Sequence, residues 1–289
     1  MFLGRREFLV GALATSGLAS ACSTHSSQTK SDQNWSSRGG VQLYTLKEMM
    51  AENPTLSLKS VAAAGYREVE FAGYFDKTPQ EYKSILNGEG LKAPSFHLSY
   101  QECLQQDKLE EGINAAQILN HKYLVVPYLV EGDRQSLDDY REVAANLSKI
   151  AETCRAAGIG FAYHNHEFEF IELEGEIPYD ILLTQTDADL VKMELDLCWV
   201  HAAGKSAVEY INANPGRFPL FHVKDITADG TLVPVGQGTV DFAAVFAAAG
   251  TAGLRHAYVE HDRATDPIAS ISESFTFLKN AKIKMPALS

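Results

Sequence analysis

The sequence is short of the features that mark several common protein classes. It has 4 cysteines in 289 residues, and Cys22, Cys103, Cys154 and Cys198 make no CxxC pair or other metal-ligand spacing. A disulfide scaffold and a zinc-ribbon module are both excluded on that ground. Positive charge is in deficit, with Lys+Arg 25 against Asp+Glu 37 and a formal net charge of −12. A surface that tracks a phosphate backbone needs clustered cations, so nucleic acid is not the expected partner. No Gly-rich phosphate loop follows the first predicted strand, which argues against an open nucleotide-binding sheet. Proline (10) and glycine (21) are at ordinary levels, and neither a collagen-like fibre nor a disordered chain is in play.

The N-terminus reads as an address. Arg5-Arg6-Glu7-Phe8-Leu9 precedes an apolar run, Val10 to Ala21, that Gly and Ser dilute and that is too short to span a bilayer. The adjacent arginines resemble a twin-arginine export signal, and Ala19-Ser20-Ala21 suits a signal peptidase. Leu18-Ala19-Ser20-Ala21-Cys22 also resembles a lipobox, after which Cys22 would be lipidated. Residues 1–21 are therefore expected to be a signal peptide. Residues 22–38, rich in Ser, Thr, Gln and Asn, are expected to be a flexible tether. The expected location is periplasmic, with the protein free or held to a membrane through Cys22.

From Gly40 onward, short β-rich runs alternate with helical ones. Strands are expected at Val41–Thr45, Glu68–Ala72, Ala93–Ser99, Tyr123–Tyr128, Gly160–His166, Leu190–Leu195, Pro219–Lys224 and Ala257–His261. Helix starts are signalled by Asn53-Pro54, Thr78-Pro79 and Ser136, and helix ends by Gly65, Gly158 and Gly250. Eight strand–helix repeats in about 250 residues point to an α/β fold, a single-domain (β/α)8 TIM barrel over residues 39–289.

Side chains alternate in and out along a strand, so parity identifies the interior. In Gly160-Phe161-Ala162-Tyr163-His164-Asn165-His166 the even positions are small and then become histidines, while Phe161 and Tyr163 suit packing against helices. The same parity turns Gln42, Tyr44, Glu70, His97, Glu194, Asp196, His222, Lys224 and Glu260 inward. So many inward polar groups near strand C-termini need partners, because unpaired buried charge is costly. A metal and a polyhydroxylated substrate would supply them. His164, Asp196, His222 and Glu260 come from four consecutive strands, and two imidazoles with two carboxylates suit one divalent ion such as Mn²⁺, Zn²⁺, Co²⁺ or Fe²⁺.

Gln42-Leu43-Tyr44-Thr45, Gly65-Tyr66-x-x-Val69-Glu70, Phe96-His97, His164-Asn165-His166, Glu194-Leu195-Asp196, His222-Val223-Lys224-Asp225 and Glu260 together resemble the sugar phosphate isomerase/epimerase superfamily, the xylose isomerase-like TIM barrels, over about residues 39–282. The resemblance implies one divalent metal held by a Glu, Asp, His, Glu set on the fifth to eighth strands. Asp196, His222 and Glu260 match it, and His164 stands where the first Glu is usual. It further implies a metal-dependent isomerase or epimerase that removes a proton beside a carbonyl of a small sugar. Glu260 is the expected base or ligand, with His166 as second base and Lys224 as stabiliser of the oxyanion. Gln42, Glu70, His97, Glu194 and Trp199 are expected around the sugar.

His164 is also similar to what stands in barrels of this group that act on 3-keto-glycosides, so a lyase or hydratase is the second expectation. A lipid-anchored sugar-binding protein without catalysis is the third. Lipidation has a direct check: in detergent phase partitioning the parent chain is expected in the detergent phase and Cys22→Ser in the aqueous phase.

Overall fold

In a computed structural model that describes residues 34–287, eight parallel strands close into a barrel. They are β1 (Gly40–Gln42), β2 (Glu68–Phe71), β3 (Lys92–His97), β4 (Tyr123–Val126), β5 (Gly160–His164), β6 (Val191–Asp196), β7 (Leu220–Val223) and β8 (His256–Val259). Each pairs with its neighbours in sequence, and β8 closes onto β1 through Gly40↔Tyr258 and Val41↔Val259. The signal-like segment, Cys22 and the tether as far as residue 33 lie outside the described residues. Among the described residues no helix is long and apolar enough to cross a membrane.

The expected local signals are present. The Asn53 side chain caps Pro54–Ala64 by accepting from Leu56 N. Thr78 with Glu81, and Ser136 with Asp139, form reciprocal capping boxes on Pro79–Glu89 and Leu137–Ala156. Gly65 leaves its helix at φ 111°, and a Cβ there would lie 2.6 Å from the Phe275 ring. Gly250 is not a helix end. It lies inside Ala249–Ala252, and the chain turns at Gly253, with φ 76°.

Three further expectations change in detail. β1 stops at Gln42 because the Gln42 side chain accepts from Tyr44 N at 3.0 Å, starting a 3₁₀ turn over Leu43–Leu46. Tyr44 therefore leaves the barrel interior and is 42% exposed. β5 stops at His164, so His166 sits on the following loop. The tether does not reach Arg38: Trp35–Arg38 is a helical turn, with the Trp35 ring buried edge-on against Phe246 and the Trp35 backbone N–H donating to Ile283 O at 3.2 Å. One indole was enough apolar area to anchor that end of a polar stretch.

Parity along the strands follows the expected pattern. Phe71, Phe96, Phe161, Tyr163 and Val223 pack between barrel and helices, whereas Val125, Ala162, Leu220 and Tyr258 form a small separate apolar plug. Ser95 Oγ donates to Tyr258 Oη at 2.8 Å. Trp35→Ala should cost about 3–5 kcal/mol, since a buried aromatic is lost and its cavity remains. Urea unfolding of both chains measures it.

Candidate metal centre at the barrel mouth

Register sets the polar groups beside one another. His164 pairs with Glu194, Asp196 with His222, and Gln42 with Glu70. Beyond the last strand positions the loops bring Lys224, Glu260 and Asp262 to the same place. Two groups of ligand-type side chains result, each with its atoms within 4.8 Å of one another: His164, Asp196, His222 and Glu260, and beneath them Glu70, His97, Glu194 and His222.

The upper group is built from locked side chains. Asp196 Oδ1 accepts from Trp199 N at 3.0 Å and caps Leu197–Ala202, so only Oδ2 turns to the site. Asn165, fully buried, accepts from Asp196 N at 3.1 Å and pins that strand end. His164 Nδ1 lies 3.0 Å from Pro127 O, and a carbonyl only accepts, so Nδ1 carries a proton. Its Nε2 then faces Asp196 Oδ2 at 3.3 Å. A neutral ring would set two lone pairs against each other there, and a shared cation resolves the clash as well as a second proton does. The donor chemistry and spacing thus fit a divalent ion.

Lys224 supplies positive charge at the same point. Its Nζ is 3.2 Å from Asp196 Oδ2, 2.8 Å from Glu260 Oε2 and 2.9 Å from Asp262 Oδ1. Burial alone would lower its pKa, but these carboxylates hold it well above the usual range. Burial would raise Glu260, yet Lys224 and His222 hold it well below its ordinary value. As a free base Glu260 is therefore disfavoured, and as a ligand favoured. His166 is pushed down to about 2 by burial and by His164 and Lys224, so it stays neutral.

The lower group differs from its expected part in sugar binding. Gln42, Glu70 and Glu194 are fully buried. A cavity of about 470 Å³ at the mouth is lined by Tyr44, Lys47, His97, Tyr128, His164, His166, Lys224, Glu260, Asp262 and Arg263, among others. Of the five expected sugar contacts only His97 reaches it. Trp199 lies behind, 5.0 Å from Lys224 Nζ and stacked on His166. Asp262, Lys47 and Arg263 were not foreseen, although Asp262 lies two positions past Glu260 with the same parity. A larger cavity, about 700 Å³, lies at the opposite end among strand starts such as Glu68, Lys92, Gly160 and His256, away from both groups.

A family model described as the xylose isomerase-like TIM barrel matches residues 58–281. An inosose dehydratase of Lacticaseibacillus casei is 25% identical over 191 residues, covering 59% of this chain and 62% of that protein. The chain thus spans less than two thirds of that relative's length. An inosose dehydratase of Geobacillus kaustophilus is 23% identical over 229 residues, covering 66% of this chain and 73% of that protein. Two solved structures share the fold: a sugar phosphate isomerase/epimerase from Parabacteroides distasonis (TM-score 0.75, 23% identity, 86% of this chain and 96% of that one) and an IolI protein with a bound zinc atom (TM-score 0.68, 15% identity, 85% and 99%).

Beside the site, Glu169 is fully buried, accepting from Tyr163 Oη and, at 2.7 Å, from His166 N. Burial outweighs those bonds and pushes its carboxyl up to about 8 from 4.5. A folded-state value above the unfolded one means stability that is full below about 4.5 and is lost as pH rises through about 8. Glu169→Gln, close in shape, should therefore flatten the fall of Tm across that window, which thermal melts in a pH series measure.

Proposed function

The chain belongs to the xylose isomerase-like TIM barrel family, and from that premise we propose a divalent-metal-dependent lyase that dehydrates a small polyhydroxylated ketone. The observation that carries this choice is the locked His164 ring, with Nδ1 on Pro127 O and Nε2 on Asp196. Isomerisation or epimerisation, the first expectation from the sequence, returns a proton at a new position or face. For the epimerases the resemblance implies a second glutamate at the His164 position. An imidazole committed at both nitrogens does not replace that mobile base. Elimination needs only one.

A divalent ion held by His164, Asp196, His222 and Glu260 would polarise the substrate carbonyl and acidify the adjacent C–H. Glu260 Oε2 is already engaged by His222 and Lys224. Asp262 lines the cavity, its side chain is 21% exposed against 6% for Glu260, and Lys224 alone holds it, so it is the carboxylate that reaches substrate most readily. It takes the α-proton, the C–H electron pair forms the new double bond, and the β-hydroxyl leaves with that same proton as water. Lys224 Nζ faces the developing oxyanion. His97 meets a substrate hydroxyl, and Tyr44 and Tyr128 offer ring faces to the C–H edges of the sugar.

The inosose dehydratase relatives support this reading, and a cyclic keto-polyol is the first substrate class to try. Export with lipidation at Cys22, an expectation from sequence alone, would place the reaction outside the cytoplasm and favour an unphosphorylated substrate.

Incubation with Mn²⁺ in D₂O, using a keto-inositol and a 3-keto-glucoside, tests the proposal by mass spectrometry. Loss of water from one of them, reduced about 10²–10⁴-fold in Asp262→Asn, is the expected result. Deuterium uptake with inversion and no mass loss would replace the lyase by an epimerase. Neither exchange nor loss would leave a binding protein. Metal analysis beside His164→Ala/Asp196→Ala should show the ion lost in the double variant.

A further inference from the structure

We infer that Glu70 and Glu194 are positioning residues for His222, keeping its one remaining proton on Nε2 so that the Nδ1 lone pair faces Asp196 and Glu260. This rests on the proposed role of His164, Asp196, His222 and Glu260 as the ion-holding group.

The two groups at the mouth meet in one imidazole ring. Nδ1 of His222 is 2.9 Å from Glu260 Oε2 and 4.0 Å from Asp196 Oδ2. Nε2 is 2.7 Å from Glu70 Oε2 and 3.1 Å from Glu194 Oε2. A neutral imidazole carries one proton, and a ring nitrogen that holds a cation has none. With carboxylates on both sides, the side facing the ion gives up its proton and the other keeps it. A carboxylate on the far N–H fixes the tautomer, orients the ring and makes the ligating nitrogen more basic.

Glu70 and Glu194 are suited to that task and to little else. Both are fully buried, and neither lines the cavity. His97 Nε2 lies 3.1 Å from an oxygen of each, which supplies one positive charge against their two negative ones. Gln42 Nε2 donates to Glu70 Oε2 at 2.7 Å and holds it in place. One net negative charge is left for His222 Nε2–H. A cation could instead enter this lower box, where Glu70 Oε1 and Glu194 Oε1 lack partners. Three of its four members, Glu70, Glu194 and His222, are fully buried, however, and filling it together with the upper group would strip both protons from His222.

Mn²⁺ titration of the full chain, followed by the spin signal of the free ion, provides the test. One equivalent is expected in the parent, and about 10–100-fold weaker binding at unchanged stoichiometry in Glu70→Gln and Glu194→Gln. ¹⁵N spectra of the Zn²⁺-loaded parent should show His222 protonated at Nε2 and metal-bound at Nδ1. This spectrum stands even if a variant fails to fold. Zinc on Nε2, a second equivalent lost in Glu70→Gln, or unchanged affinity in folded variants would overturn the inference. Asp196→Asn separates the two levels. If it binds the ion as the parent does, or the parent binds none, the proposed centre falls and this inference with it. If it loses the ion while both Gln variants keep parental affinity, only the positioning role falls.

Discussion

Four carboxylates, from Glu70, Glu194, Asp196 and Glu260, converge inside one barrel, and the arrangement at the mouth depends on keeping that charge balanced. Unpaired, they would repel one another in a medium that screens poorly. His222, His97 and Lys224 thread between them, within 3.2 Å of carboxylate oxygens on all four. Lys224 alone spans three carboxylates, Asp196 and Glu260 of the upper group and Asp262 two residues past Glu260. Such a constellation is costly for stability if any member is removed. It makes sense as a device for holding a cation and a polar substrate rather than as a source of folding energy.

The scaffold keeps these side chains from relaxing away. Asp196 spends one oxygen on the cap of its own helix and offers the other to the site. His164 is tied to a carbonyl on the preceding strand's loop. Asn165 ties the ends of β5 and β6 together through the Asp196 backbone. Below, the apolar plug of Val125, Ala162, Leu220 and Tyr258 fills the barrel so that the polar layer has a firm floor. The proposed chemistry follows from this rigidity: Asp262, the more exposed carboxylate at the cavity wall, is held by Lys224 alone, whereas Glu260 is held by both His222 and Lys224.

Much of this was legible in the chain. Eight strands appeared where β-rich runs alternate with capped helices, because strand parity and capping residues act over a few positions. The upper group was legible for the same reason: His164, Asp196 and His222 lie at or next to the ends of β5, β6 and β7, Glu260 directly follows β8, and alternation turns them all inward. Short elements were not. The helix Leu197–Ala202 has 6 residues and begins at the side chain of Asp196, and Trp35 escapes notice because its partner, Phe246, is more than 200 positions away.

What the amino-acid sequence by itself determined is the closed barrel, the inward face of each strand and the residue types at its mouth, since each of these follows from local periodicity. Depth was decided only by the tertiary structure. Glu70 and Glu194 carry the same parity as Glu260, yet they lie in a sealed layer beneath His222 while Asp262 opens onto the cavity. Strand stagger and the point at which each strand gives way to its loop set that difference. Both depend on hydrogen bonds between distant segments, which no window of sequence contains.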